Sequence, residues 1–225
     1  MSRYAFEPHA TPAAAIAGEA TLFPIRRVIC VGRNYAAHAR EMGGDERDPP
    51  FFFAKPADAV TQSTAVPYPM ATADLHHEVE LVVALQDGGA EVSPGAALDL
   101  VFGYGVGVDL TRRDLQNLAK AAGRPWDASK GFDASAPLSA IRRWTGPPPQ
   151  GRIHLSVNGQ IRQDGRVSDM IWNIAEVIAE ASKLWRLAPG DLIFTGTPEG
   201  VGPLARGDRV EGGIEGVGDI SFSMM

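Results

Sequence analysis

Glycine and proline interrupt this chain too often for any extended helical array. They supply 25 and 17 of its 225 residues, about a fifth of the chain against roughly an eighth in ordinary proteins. Such punctuation excludes a helical bundle, because glycine forfeits backbone entropy in a helix and proline removes a donor. It stays below the roughly 25–30% of low-complexity chains, and 44% hydrophobic residues provide for a sizeable core. What remains is one large domain of short strands, turns and functional loops. We expect an α+β, predominantly β fold with a few short helices and one long helix. Residues 1–24, Ala-rich with scattered proline, read as an N-terminal arm, and residues 25–225 as a single domain.

Charge and cysteine content narrow the partners. A net charge of −6 and a pI near 5.4 argue against nucleic acid or an anionic membrane as the main partner. The single cysteine, Cys30, cannot form an intramolecular disulfide and sits in an apolar run, so it reads as a core thiol in a reducing compartment. No apolar run approaches the roughly 18 residues of a membrane span. The N-terminus lacks the basic flank and apolar stretch of a signal peptide. The expected address is cytoplasmic.

Along the chain, residues 27–31 (RVICV) read as a strand running through Gly32-Arg33-Asn34 into a short helix over 35–42. Residues 51–53, 77–85, 102–110 and 192–194 read as further strands. Ser93-Pro94 marks a helix start, and Thr111 with Asp114 reads as a cap for a helix that Gly123 stops. The turn Asn158-Gly159 between 154–157 and 160–163 is the clearest hairpin signal. From Ser168 to Trp185, Met170, Ile171, Ile174, Val177, Ile178, Ala181 and Leu184 trace the core-facing stripe of the long helix.

Several groupings could carry chemistry. In the strand over 77–85, Glu78 and Glu80 share a face, roughly 6–7 Å apart by strand rise, as a solvated stripe or as part of a site. In the strand over 102–110, Gly103, Gly105, Gly107 and Asp109 share a face. Either a ligand approaches the backbone there or the sheet packs tightly against it. Three carboxylates on two strands make an all-oxygen set suited to a hard divalent cation. Arg112 and Arg113 at a helix start form an anion-attracting corner, with Gln116 on the Arg113 face. His38 and Glu41, three apart on a short helix, suit an imidazole oriented and made more basic by a carboxylate. Thr197 sits in the Gly-rich loop FTGTPEGVG, whose N–H groups could cradle an anion; no Walker or dinucleotide fingerprint is present.

The motifs VGRNYAAHAREMG (31–43), FFFAKP (51–56), HHEVELVVAL (76–85), GYGVGVDLTRRDLQ (103–116), KGFDASAP (130–137) and FTGTPEGVG (194–202) occur in the order and spacing of one family. From about residue 25 onward the chain resembles the catalytic domain of the fumarylacetoacetate hydrolase family, most closely its bacterial fumarylpyruvate hydrolases. The resemblance implies a mixed β-sandwich roll, usually dimeric, with Mg²⁺ or Mn²⁺ on Glu78, Glu80 and Asp109. It further implies catalytic roles for His38, Glu41 and Lys130, and substrate contacts from Arg33, Lys55, Arg113, Gln116 and Thr197. The implied reaction is hydrolysis of a carbon–carbon bond in a 2,4-diketo acid, fumarylpyruvate giving fumarate and pyruvate, as in gentisate degradation. The partner is a small diketo acid or dicarboxylate. Oxaloacetate decarboxylation or enol-diacid decarboxylation/isomerisation on the same metal site is the nearest alternative; a non-catalytic metal- or carboxylate-binding protein is another.

Overall fold

The computed structural model describes residues 4–35 and 48–225. At its centre lies a six-stranded mixed sheet with spatial order Arg142–Arg143, Val101–Val108, Val79–Leu85, Asp191–Phe194, Arg27–Gly32 and Phe51–Lys55. Within it only Asp191–Phe194 and Arg27–Gly32 pair in parallel. A five-stranded sheet, ordered Gln160–Arg166, Arg152–Val157, Arg209–Ile214, Gly218–Met224 and Ala65–Val66, packs over one face. A small three-stranded sheet of Thr111–Arg112, Leu75–His77 and Gly202–Leu204 lies at the end of the sandwich.

Both faces of the central sheet are covered, so its strands read as continuous apolar runs. Every residue of Val79–Leu85 is buried. Val79, Leu81, Val83 and Leu85 enter the core shared with Ile153, Leu155, Val210 and Phe222. Val82 and Ala84 face a second core closed by Leu138, Ile141 and the hairpin of Ala13–Ala15 and Leu22–Pro24, which contributes Ala14 and Phe23. Cys30 belongs to this second core, fully buried. No helix of the described residues is long and apolar enough to cross a membrane.

Local signals explain most elements, and three expectations need correction. The hairpin turns at Asn158-Gly159, both at positive φ, as a tight turn matched to strand twist requires. The long helix spans Ile174–Leu184 and begins at Asn173, not at Ser168. Asn173 accepts from the Glu176 N–H while Glu176 accepts from the Asn173 N–H, a reciprocal cap that fixes the start. Thr111 does not cap the next helix, Arg113–Ala121; it lies in a strand, and Asp114 accepts from Thr72 Oγ1 and the Ala73 N–H. The run 77–85 is not one strand: His77 ends a strand of the small sheet, Val79 begins one of the central sheet, and Glu78 is the joint. The helix expected over 35–42 falls mostly outside the described residues.

The glycine face of Val101–Val108 resolves in favour of tight packing. A Cβ on Gly107 would lie 2.5 Å from Phe194 and 2.6 Å from Val82, and one on Gly103 2.1 Å from the Arg142 carbonyl oxygen. Protein, not ligand, fills that face. The close approach sets the edge pairing with Arg142–Arg143 and the seating of Phe194.

Candidate active site

The joint at Glu78 creates the site. There the chain passes from the small sheet to the central one, and the Asp109 N–H donates to the Glu78 carbonyl at 2.8 Å. Asp109 follows the last residue of Val101–Val108, opposite the start of Val79–Leu85, where Glu80 pairs with Gly107. Strand register thus brings three carboxylates together. Ligand oxygens of Glu78, Glu80 and Asp109 lie within 4.8 Å of one another, and all three residues are buried, at 6%, 2% and 0% exposure. A solvated stripe is excluded.

Three buried carboxylates repel one another and need compensation. Lys130 Nζ donates to Glu78 Oε2 (2.8 Å), Asp109 Oδ2 (2.6 Å) and Thr111 Oγ1 (2.6 Å), which engages all three of its protons. Burial alone would lower this ammonium, but Asp109 and Glu78 outweigh it and hold it above its ordinary value. Arg113 donates to Glu78 Oε1 at 2.5 Å and to Gln116 Oε1 at 2.6 Å. Glu80 has less support. Its Oε2 accepts from the Gly196 N–H at 2.7 Å, yet burial, followed by the Asp109 and Glu78 charges, pushes it well above the usual carboxylate range.

The donor set fits a divalent cation. All ligand atoms are carboxylate oxygens, the hard donors that Mg²⁺ and Mn²⁺ take. Asp109 Oδ1 is buried and accepts no hydrogen bond among the described residues. Lys55 Nζ stands 2.8 Å from it, but its protons go to the carbonyls of Leu110, Lys130 and Ser135. A buried carboxylate oxygen left with free lone pairs beside two further carboxylates is what a cation needs.

Above this floor opens a cleft lined by Gly32, Arg33, Phe53, Glu78, Glu80, Arg113, Gln116, Trp126, Lys130 and Thr197. It thus gathers Arg33, Arg113, Gln116, Lys130 and Thr197 around the carboxylates. Lys55 lies beneath, 2% exposed, and does not line the cleft. His38 and Glu41 lie outside the described residues. Arg33 holds a positive φ of 61°, an uncommon backbone state that surrounding structure must sustain.

Two buried amides shape the rim without having been singled out from sequence. Asn34 donates to the carbonyls of Trp172 and Thr195 and accepts from the Trp172 N–H, which ties three segments beside Arg33. Gln163 donates to Thr197 Oγ1 at 2.7 Å and to the Pro198 carbonyl, and accepts from the Val79 N–H. Its Oε1 is also 2.9 Å from His77 Nδ1, so that nitrogen carries the proton. Burial chiefly holds His77 below its ordinary value, which keeps the ring neutral. Asn34 stands in the quoted motif 31–43. Gln163 gave no signal, because a glutamine in a hairpin reads as surface.

The cleft continues past Lys130 into a wider aromatic recess. Phe51, Phe53 and Trp126 form its wall, with ring centroids 4.8 Å (Phe51–Trp126) and 5.8 Å (Phe53–Trp126) apart, and Lys120 and Arg124 at its side. Lys120 Nζ lies 5.3 Å from the Trp126 ring centre. Burial, then the charges of Arg113 and Arg33, push this lysine down to about 8.

Residues 27–224 match the family described as fumarylacetoacetate hydrolase C-terminal. The chain belongs to the fumarylacetoacetate hydrolase family. Among fumarylacetoacetate hydrolase relatives, the fumarylpyruvate hydrolase of a Ralstonia species is 44% identical over 176 residues, 77% of this chain and 92% of that protein. The mitochondrial oxaloacetate tautomerase of Mus musculus is 42% identical over 202 residues, 88% of this chain and 91% of that protein. The crystal structure of fumarylpyruvate hydrolase from Pseudomonas aeruginosa in complex with Mn²⁺ and pyruvate matches with a TM-score of 0.96 at 46% identity, covering 99% of each chain. The mixed β-sandwich expected from the resemblance is the family fold.

Proposed function

We propose that the protein is a divalent-metal-dependent hydrolase that cleaves the carbon–carbon bond of an acylpyruvate, with fumarylpyruvate as the preferred substrate. The observation that carries this reading is the buried Glu78–Glu80–Asp109 cluster at the floor of a cleft lined by Arg33, Arg113, Lys130 and Gln116. The related Pseudomonas aeruginosa enzyme, solved with Mn²⁺ and pyruvate, supports it. Glu78, Glu80 and Asp109 would hold Mg²⁺ or Mn²⁺. Bound there, the cation would supply Lewis-acid polarisation of the substrate's oxygens.

The chain's own groups supply the rest. Arg113, Gln116, Thr197 and Arg33 bind and orient the carboxylates of the diketo acid. His38, aligned by Glu41, takes a proton from water as its oxygen attacks the distal carbonyl carbon. Lys130 offsets the negative charge that develops on that carbonyl oxygen. The bond between the carbonyl carbon and the pyruvyl methylene then breaks. The pyruvyl fragment leaves as an enolate, and the proton held on His38 returns to its carbon. The products are a carboxylic acid and pyruvate, fumarate and pyruvate when the acyl group is fumaryl.

The aromatic recess favours a long acyl group over oxaloacetate. Oxaloacetate has no acyl chain to extend past Lys130, whereas a flat unsaturated chain suits the Phe51–Phe53–Trp126 wall and its terminal carboxylate suits Lys120. The second reading, conversion of oxaloacetate by decarboxylation or tautomerisation on the same cluster, draws on the mouse relative. A side-by-side assay separates them. Loss of enol absorbance is followed for fumarylpyruvate, maleylpyruvate and acetylpyruvate, and oxaloacetate consumption is measured beside it with Mg²⁺ or Mn²⁺. We expect fumarylpyruvate to have the highest kcat/KM. A higher value for oxaloacetate would replace the hydrolase reading with the second one.

A further inference from the structure

The mechanism leaves one buried ammonium without a task. Lys55 ends the edge strand Phe51–Lys55, and its side chain is fully buried. A lysine stem buried to its nitrogen is rare unless the charge is paired. Here the charge faces Asp109 Oδ1 at 2.8 Å, while the three protons go to the carbonyls of Leu110 (3.2 Å), Lys130 and Ser135 (3.1 Å). Each target belongs to the site or adjoins it. Leu110 follows Asp109 directly, Lys130 bridges Glu78 and Asp109, and Ser135 Oγ itself donates to the Lys130 carbonyl at 2.9 Å.

We propose that Lys55 is a positioning residue that sets where Asp109 and Lys130 sit and keeps Asp109 Oδ1 free to bind a cation. Two features of the geometry carry this. First, Lys55 Nζ stands 2.8 Å from Asp109 Oδ1 while its protons go to three backbone carbonyls, so a positive charge is held against that oxygen without occupying its lone pairs. Second, Lys55 is the point at which an edge strand, the end of Val101–Val108 and the 130–135 segment meet. The Lys130 ammonium is therefore placed from its own backbone, and Lys55 acts from beneath the cleft that it does not line.

The inference rests on the carboxylate cluster being the metal site, so its test begins with Mn²⁺ alone. Titration calorimetry compares wild type with Lys55→Met, which keeps the stem and removes charge and protons. We expect Mn²⁺ affinity to fall about 10–100-fold, the range for disturbing a group one step from a ligand. With fumarylpyruvate, kcat should fall at least tenfold while KM stays within about threefold. The kcat loss should shrink in a Lys130→Met background, as coupled residues require. Failure of wild type to bind Mn²⁺ would overturn the metal site itself. Binding by wild type with unchanged affinity and kcat in a folded Lys55→Met protein would overturn the role of Lys55 alone. A merely structural staple would lower the melting temperature but spare Mn²⁺ affinity, which also counts against the proposal. If Lys55→Met does not fold, Ser135→Ala gives the answer, since it loosens only the Lys130 carbonyl. A three- to tenfold lower kcat at unaltered Mn²⁺ affinity supports the placement of Lys130 from its backbone, and an unaltered kcat contradicts it.

Discussion

The floor of the cleft and its outer wall are built on opposite principles. On the floor, Glu78, Asp109, Lys55 and Lys130 are nearly inaccessible and bound into one polar network of ion pairs and backbone hydrogen bonds. Along the wall, Phe51, Phe53 and Trp126 meet ring to ring, and Lys120 is only partly buried, with a charge that neighbouring cations disfavour. A network held by so many ion pairs and hydrogen bonds, with one Asp109 oxygen left open, keeps one geometry, as chemistry at a fixed carbonyl requires. An aromatic wall discriminates by area and shape and tolerates change. The floor should therefore decide whether the reaction occurs, and the wall which acyl group enters.

Substitutions can break this division, beginning with the largest effect. Glu80→Gln removes a ligand, so Mn²⁺ affinity by calorimetry should drop by more than about 100-fold, beyond the range for outer groups, and turnover of every substrate should fall with it. His38→Ala should slow acylpyruvate cleavage by roughly 10²–10⁴, the range for an acid–base group. Any oxaloacetate decarboxylation, which needs no attacking water, should be spared. Trp126→Ala should raise KM for fumarylpyruvate about tenfold, close to 1.4 kcal/mol, and that for acetylpyruvate less than twofold; equal losses would deny the wall its selective role. The smallest effect is a pH dependence. Lys120 is charged below about 8 and neutral above it, so KM for a substrate with a distal carboxylate should rise as pH passes 8. Acetylpyruvate should show no such rise, and Lys120→Met should abolish it.

Legibility from sequence followed the same division. The carboxylates were readable because a period-two reading of 77–85 puts Glu78 and Glu80 on one side, and because Asp109 directly follows the glycine strand. Alternation could not show that Glu78 is a joint between two sheets, since that depends on which partners Leu75–His77 finds elsewhere in the chain. Asn173 and Glu176 carried a start signal for the long helix, but the apolar stripe running back to Met170 overrode it. Lys55 was attached to the substrate by resemblance. That its stem is buried and its protons meet three carbonyls depends on contacts 55 to 80 residues apart in sequence, beyond any local pattern. Gln163 and the recess formed by Phe51, Phe53 and Trp126 were hidden for the same reason.

The central claim, that acylpyruvate cleavage depends on a divalent cation held by the three carboxylates, has a direct test. The protein is stripped with a chelator, exchanged into metal-free buffer, and assayed for loss of fumarylpyruvate enol absorbance and release of pyruvate, before and after addition of Mg²⁺ or Mn²⁺. We predict no turnover in the stripped protein, full recovery on adding metal, and no recovery in Asp109→Asn. Undiminished turnover in protein shown to be metal-free would contradict the account.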